Sequence, residues 1–390
     1  MLKNFLKLFS GNAVAQMIQF VALYVLMNIY APDSFGRLGN IQSISGISTI
    51  IFTLQLQHVL PLSKSKSKAK YYFISIFSIS FYVFLLFTFF SFFLTIDYKL
   101  AFLLSFFLAL NSITTNFLVF NGAFTNLSIF SVIRVLIIVG LQLLFSIKRN
   151  NLFDGLVLGA IAGEIISSIY FLFKENLFSF IKINTSFKKL KYIIFQWKSY
   201  TLYGTIQELL SVMVYSLPII FYVNKFGENI GGQYSIAYKL IWGPTVLVSS
   251  SIAQVLTNKF GVENDFSFIK NKIWFNIKFL WIIPPFFLFF IIVNYLDIDF
   301  IQNKWNIAFN LLPFMFVNAL FFTFAMPYRV ALRVLRKNII ILKIEAITVL
   351  LLIITFFVGN MSVIWFTFIV TTISIFQNLL IYVGFTKSER

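Results

Sequence analysis

YYFISIFSISFYVFLLFTFFSFFLTI, residues 71–96, runs without a single charged side chain. A helix needs about 20 predominantly apolar residues to cross the hydrocarbon of a bilayer, so this stretch reads as a transmembrane span. Runs of similar character lie on either side at 9–30, 38–60, 100–121, 127–147 and 152–174. Others follow at 200–222, 232–257, 273–296, 306–328, 338–358 and 362–384. Composition agrees: only 11% of the 390 residues are charged, against about 25% in a soluble domain. The 53 phenylalanines are too many for one core to hide from water, and lipid is the solvent that accepts them. The expected fold is all-α, with about 12 transmembrane helices.

An even number of spans puts both termini on one side. With that side cytoplasmic, 21 Lys and Arg residues fall in inside loops and tails. The outside loops hold 6, namely Arg37, Lys99, Lys148, Arg149, Lys225 and Lys304. This asymmetry follows the positive-inside rule and accounts for most of the +18 net charge without nucleic acid. The N-terminus carries Lys3 and Lys7, but Asn12, Gln16 and Gln19 interrupt its apolar run and no cleavage site follows, so it reads as a retained first span. The expected location is a bacterial cell inner (cytoplasmic) membrane, with N- and C-termini cytoplasmic. With no cysteine and one histidine, His58, disulfides, thiol nucleophiles and zinc sites are excluded. No Gly-x4-Gly-Lys-Ser/Thr segment is present. No catalytic residue, metal, cofactor or P-loop ATPase engine is therefore expected.

The longest stretch between spans is basic and divides the chain into an N-terminal six-helix bundle (1–174), a cytoplasmic linker (175–199) and a C-terminal six-helix bundle (200–390). The halves repeat. Ser10-Gly11 with Gln16, then Phe35-Gly36-Arg37-Leu38, are echoed by Tyr203-Gly204 with Gln207, then Gly231-Gly232-Gln233-Tyr234. Six helices between copies make both run the same way through the membrane, related by a pseudo-twofold axis along the membrane normal. Such an architecture suits alternating access.

Charges within spans cost about 2.5 to 3.5 kcal/mol each on insertion scales, so each is a functional candidate. Arg134 (span 5) and Lys239 (span 8) would attract an anionic group in a cavity, Arg gripping a phosphate bidentately. Equally, Arg134 pairs with Glu164 in the next span. Glu208 and Glu345 are the other intramembrane acids. Asn12, Gln16 and Gln19 in span 1, and Gly204, Glu208, Ser211 and Tyr215 in span 7, fall at helical spacing. They either line the cavity and meet hydroxyls of a sugar, or act as polar glue between helices. Arg329, Arg333, Arg336 and Lys337 form one basic face at the end of span 10. That face either collects a pyrophosphate headgroup or meets anionic lipid and sets topology. Gly155, Gly159, Gly163 and Ser167 form a small-residue packing stripe. Asp297-Ile298-Asp299 reads as a solvated loop.

The opening Gly11 with Gln16, the loop Tyr30-Ala31-Pro32-Asp33-Ser34-Phe35-Gly36, Gly155 and Gly159 with Gly163, Tyr234 to Lys239 with Pro244, and Trp305 with Ala308 together resemble one family. It is that of the polysaccharide repeat-unit flippases of the O-antigen transporter (Wzx) type. Their superfamily also holds the multidrug exporters of the MATE type. The resemblance implies a MATE-like pair of bundles around a cationic cavity. It also implies movement of a polyprenyl-pyrophosphate-linked oligosaccharide, a unit of lipopolysaccharide O-antigen or a related polysaccharide, from the cytoplasmic to the periplasmic leaflet. Arg134 and Lys239, with Gln16, Gln19, Ser211, Arg329, Arg333 and Arg336, would bind this substrate, and Glu164 or Glu208 would couple an ion gradient. The implied partners are the lipid-linked oligosaccharide, membrane lipids, a polysaccharide polymerase and a chain-length regulator. Two alternatives remain. One is an O-antigen polymerase, an enzyme, disfavoured by the short outside loops and the repeat. The other is a drug or metabolite exporter, to which intramembrane acids are suited and cations are not.

Overall fold

The computed structural model describes residues 2–146, 154–178, 183, 186–262, 299–335, 337–359 and 361–389, without side chains at 2–9, 247–248, 250–252, 254–255, 257–262, 299–303 and 388–389. The span expected over 273–296, Asp297-Ile298 and Arg336 lie outside the described residues. The chain falls into two compact units, Met1–Gly232 and Gln233–Arg390. The basic stretch 175–199 belongs to the first of them.

In the first unit α1 (Leu2–Ile29) is followed by α2 (Pro32–Thr53). Pro32 opens α2 because its missing N–H is one that no helix start can satisfy. The helix ends where Leu54 and Gln55 enter the left-handed region, at φ 48° and 56°. The Leu54 N–H turns back to the Ile50 carbonyl. A 3-10 turn, Leu56–Leu62, then leaves at 56° to α2, so the second span is broken. Next come α3 (Lys66–Ser91), α4 (Ile96–Phe120), α5 (Phe124–Ser146), α6 (Gly155–Lys174), the short α7 (Phe187–Gln196) and a π-helical turn, Ser199–Gly204. The run α8 (Thr205–Val262) bends at Gly227, whose φ of 89° suits a residue without Cβ. It therefore contains two of the expected spans.

Hydrocarbon offers no hydrogen bonds, so polar side chains in the spans must find partners inside the protein. Thr49, Thr114, Thr348 and Thr367 return their hydroxyls to the carbonyl four residues back. Ser45 also reaches the Ala101 carbonyl at 2.9 Å, and Ser105 the Ser45 carbonyl at 3.2 Å. These bonds stitch α2 to α4. Aromatic packing fills the rest: Phe73 meets Phe117 edge to face, and Phe130 stacks on Phe171.

The second unit holds α8 from Gln233 on, α9 (Asp299–Val334), α10 (Asn338–Phe357) and α11 (Val363–Glu389). At Trp305 the backbone of α9 leaves helical geometry (φ −120°, ψ 23°), while Pro313 and Pro327 lie inside it. Trp305 is fully buried, and the Ala308 N–H that follows donates to Gln233 Oε1 at 3.1 Å. Phe324, Tyr328, Ile341, Ile344, Ile381 and Phe385 form the core between α9, α10 and α11.

Among the described residues nine helices are long and apolar enough to cross a membrane, and the bent pair at α2 adds a tenth. One of the nine is the bent run through Gly227. The chain is an all-α, multi-pass membrane protein.

Candidate functional site

The best-defined polar cluster in the first unit is built from the packing of α6. Asp154 caps that helix, its Oδ1 accepting from the Leu156 N–H at 3.0 Å. Behind the cap, Gly155, Gly159 and Gly163 face α5. A Cβ on any of them would sit 2.6 to 2.7 Å from α5 backbone atoms of Phe145, Gln142 and Ile138. The glycines thus let the two helices lie flush, which carries Glu164, the next residue, against Arg134 of α5.

Arg134 Nε donates to Glu164 Oε1 at 3.1 Å and to Oε2 at 2.9 Å, and Nη2 donates to Oε1 at 2.5 Å. From α4, Asn111 Nδ2 donates to Oε2 at 2.9 Å. Asn111 is itself oriented by Ser168, whose hydroxyl donates to Oδ1 at 2.9 Å. The Glu164 side chain is 8% exposed and that of Arg134 34%. The result is a carboxylate inside a membrane-spanning bundle whose charge is balanced by one guanidinium and whose lone pairs are filled. A proton or alkali cation arriving at Glu164 would compete with Arg134 for the same oxygens. Sequence reasoning placed Arg134 and Glu164 together as one alternative, but it missed Asn111 and Ser168. The signal was an amide in the middle of the apolar run 100–121.

The other residues singled out lie apart from this cluster. Gln16 is half-buried and Gln19 exposed on α1. Ser211 and Glu208 are half-buried on α8, with Glu208 close enough to His58 for their charges to interact. In the second unit Arg329 is buried and donates from Nη1 to Glu345 Oε1 at 3.3 Å. Its guanidinium also lies 5.6 Å from the Phe322 ring centroid. Arg333, one turn further, is exposed. The cations expected on one face thus divide between a buried ion pair and the surface. Lys239 is half-buried on α8, beside Tyr238, which stacks on Trp242 at 5.5 Å. No ion pair holds Lys239 among the described residues. No group of three metal-ligating side chains occurs among the described residues.

A second feature of the first unit is a close approach of two glycines. Gly36, in the second turn of α2, and Gly232 of α8, which match in the repeat expected from the sequence, meet. A Cβ on Gly36 would lie 1.9 Å from the Glu228 carbonyl oxygen, and one on Gly232 would lie 1.7 Å from the Pro32 carbonyl oxygen. Each glycine therefore faces the carbonyl four residues before the other. Asn229 Nδ2 donates to Asp33 Oδ2 at 3.1 Å beside this contact. Arg37 holds Asp97 at 2.7 Å.

Neither a protein-family model nor a curated protein sequence matches the chain. Solved structures do. An inward-facing conformation of a multidrug resistance MATE family transporter of the MOP superfamily matches with a TM-score of 0.67 at 14% identity, over 96% of this chain and 94% of that one. An outward-facing conformation carrying the same description matches at 0.53 and 15%, over 99% and 94%. The MATE transporter ClbM in complex with Rb+ matches at 0.55 and 12%, over 97% and 93%.

These matches correct the assignment to Wzx-type flippases, and with it the O-antigen and lipopolysaccharide cargo and the oligosaccharide, polymerase and chain-length partners: the structures matched end to end are MATE transporters. The physical reason is that the residues carrying the resemblance do packing work. Tyr30 donates its hydroxyl to the Gln142 carbonyl, Phe35 and Trp305 are buried, Gly36 admits a carbonyl, and Gly155, Gly159 and Gly163 admit α5. Such residues mark an architecture and carry no information about cargo. Of the arginines expected to meet a phosphate or pyrophosphate, Arg134 and Arg329 face carboxylates instead. The chain has the all-α, multi-pass fold of the MATE structures it matches.

Proposed function

We propose that this chain is a secondary transporter that exports drug-like or metabolic small molecules, with Glu164 as the ion-coupling residue. The observation that carries the reading is the Arg134–Glu164–Asn111 cluster, an ionised group kept inside a membrane bundle at a cost that packing alone does not require. The fold shared with multidrug MATE transporters supports the export of small molecules, and the Rb+ complex of one of them supports a cation as the driving ion. Competition between an incoming cation and Arg134 for Glu164 gives the coupling a local two-state element. Lys239, Gln16, Gln19 and Ser211 are the proposed cargo contacts, Glu208 a second acid for coupling. The repeat favours two six-helix halves joined by 175–199. The excess of Lys and Arg in one set of loops favours cytoplasmic termini in a bacterial inner membrane.

The test is efflux of a fluorescent organic dye from proteoliposomes under an imposed proton, sodium or potassium gradient. The parent chain should move dye in response to one of the gradients, and Glu164→Gln should lose that response at equal reconstitution. Undiminished, gradient-driven efflux by Glu164→Gln removes the coupling role. No dye movement by the parent under any gradient removes the export reading.

A further inference from the structure

At one end of the first unit the structure gathers two lysine-rich segments on a single face. Lys64, Lys66, Lys68 and Lys70 alternate with small residues where the chain enters α3, and all four are exposed. The short helix α7 packs against the same region, burying Leu190 (5% exposed) and Ile193 (1%) in a cluster with Tyr72, Phe73 and Ile76 of α3. Trp197, at the end of α7, meets the Tyr72 ring edge to face at 6.2 Å. Fixed in this way, α7 turns outward Lys188, Lys189 and Lys191, together with Phe187 (78% exposed), Tyr192 (63%) and Phe195 (63%). Lys191 Nζ lies 5.8 Å from the Phe195 ring centroid.

No Asp or Glu occurs between Asp33 and Asp97, or between Glu175 and Glu208. On α7, Lys188, Lys189 and Lys191 therefore have no acid in their own segment. Lysines whose aliphatic stems lie beside exposed aromatic rings, at the end of membrane-spanning helices, match the layer where headgroup phosphates meet acyl chains. We propose that this face binds the headgroups of anionic phospholipids in the leaflet it meets, with α7 lying in the headgroup layer. A basic, aromatic surface of this kind complements a negatively charged lipid surface on both counts, charge and partial apolarity. The assignment is independent of what the protein transports.

The experiment reconstitutes the full chain in bilayers of phosphatidylcholine and phosphatidylglycerol. It measures by spin resonance the association of spin-labelled phosphatidylglycerol relative to labelled phosphatidylcholine. The parent should prefer the anionic lipid, less so at high salt. The variant Lys188→Gln/Lys189→Gln/Lys191→Gln should lose this preference by roughly fivefold or more, the effect of one lysine brought to an anionic surface. The variant Lys188→Arg/Lys189→Arg/Lys191→Arg should keep it. A third variant, Lys99→Gln/Lys225→Gln/Lys304→Gln, removes the same charge elsewhere and should leave the preference unchanged. Equal losses in the two Gln variants would reduce the effect to net charge and overturn the proposal. So would a loss in the Arg variant. Absence of any preference in the parent would overturn it too, and would assign the face to a protein partner.

Discussion

The meeting of Gly36 and Gly232 makes a quantitative prediction about a single methyl group. Alanine at 232 would place its Cβ 1.7 Å from the Pro32 carbonyl oxygen, and alanine at 36 would place one 1.9 Å from that of Glu228. Carbon and a carbonyl oxygen approach no closer than about 3.3 Å, so either substitution forces the two backbones apart by about 1.5 Å. No rotamer relieves the clash, because both opposing atoms are main chain. A readout is available because the protein has no cysteine. Asp33 and Asn229 are exposed and their side-chain tips meet at 3.1 Å, so the rate of oxidative cross-linking of the pair Asp33→Cys/Asn229→Cys reports the width of the contact. A disulfide tolerates Cβ separations of only about 3.5 to 4.5 Å, and a displacement of 1.5 Å exceeds that window. Adding Gly232→Ala to the cysteine pair should slow cross-linking by about tenfold or more, and Gly36→Ala should do the same. Because the first methyl already opens the gap, both alanines together should do little more than one. Cross-linking at the parent rate with Gly232→Ala would refute the close approach.

Other substitutions separate packing from charge. Glu164→Ala should destabilise the protein by about 2 to 3 kcal/mol, less than the full penalty for a broken buried pair because Arg134 is a third exposed. Arg134→Met/Glu164→Met should unfold within about 1 kcal/mol of the parent yet lose gradient-driven efflux; retained efflux would make the pair purely structural. Asp154→Ala removes the cap of α6 and should cost about 1 kcal/mol in denaturant unfolding. Gly140→Ala, in the middle of α5 with nothing within 4 Å of the added methyl, should be neutral or raise the midpoint of thermal unfolding by the helix propensity gained, up to about 1 kcal/mol. A loss of stability there would show that the α5 surface at Gly140 is covered.

Most of the architecture was legible in hydropathy, because crossing hydrocarbon demands an uninterrupted apolar run and little else. The runs 71–96 and 100–121 correspond to α3 and α4 within a few residues. The break after Thr53 was not legible: it depends on left-handed backbone at Leu54 and Gln55, residue types that give no turn signal. Arg134 and Glu164 were visible as charges in apolar runs, whereas Asn111 and Ser168 become significant only when three helices bring them to the same carboxylate. The basic face of span 10 looked uniform because helical periodicity places Arg329 and Arg333 one above the other. The burial of Arg329 against Glu345 depends on a neighbouring helix that periodicity does not represent. The cargo was misread for a related reason: the most recognisable residues in the sequence were those that hold helices together.

Among the described residues two ion pairs, Arg134–Glu164 and Arg329–Glu345, join helices that are consecutive in the chain, α5 with α6 and α9 with α10. During synthesis each helix reaches the bilayer separately, and a lone arginine in α5 would meet lipid at an insertion cost of about 3 kcal/mol. Glutamate arrives only 30 residues later, on the very next span. The economical route is for the two helices to leave the insertion machinery as one hairpin, the charges already neutralised. A chain truncated between α5 and α6 should therefore stay associated with that machinery, and one that includes α6 should be released.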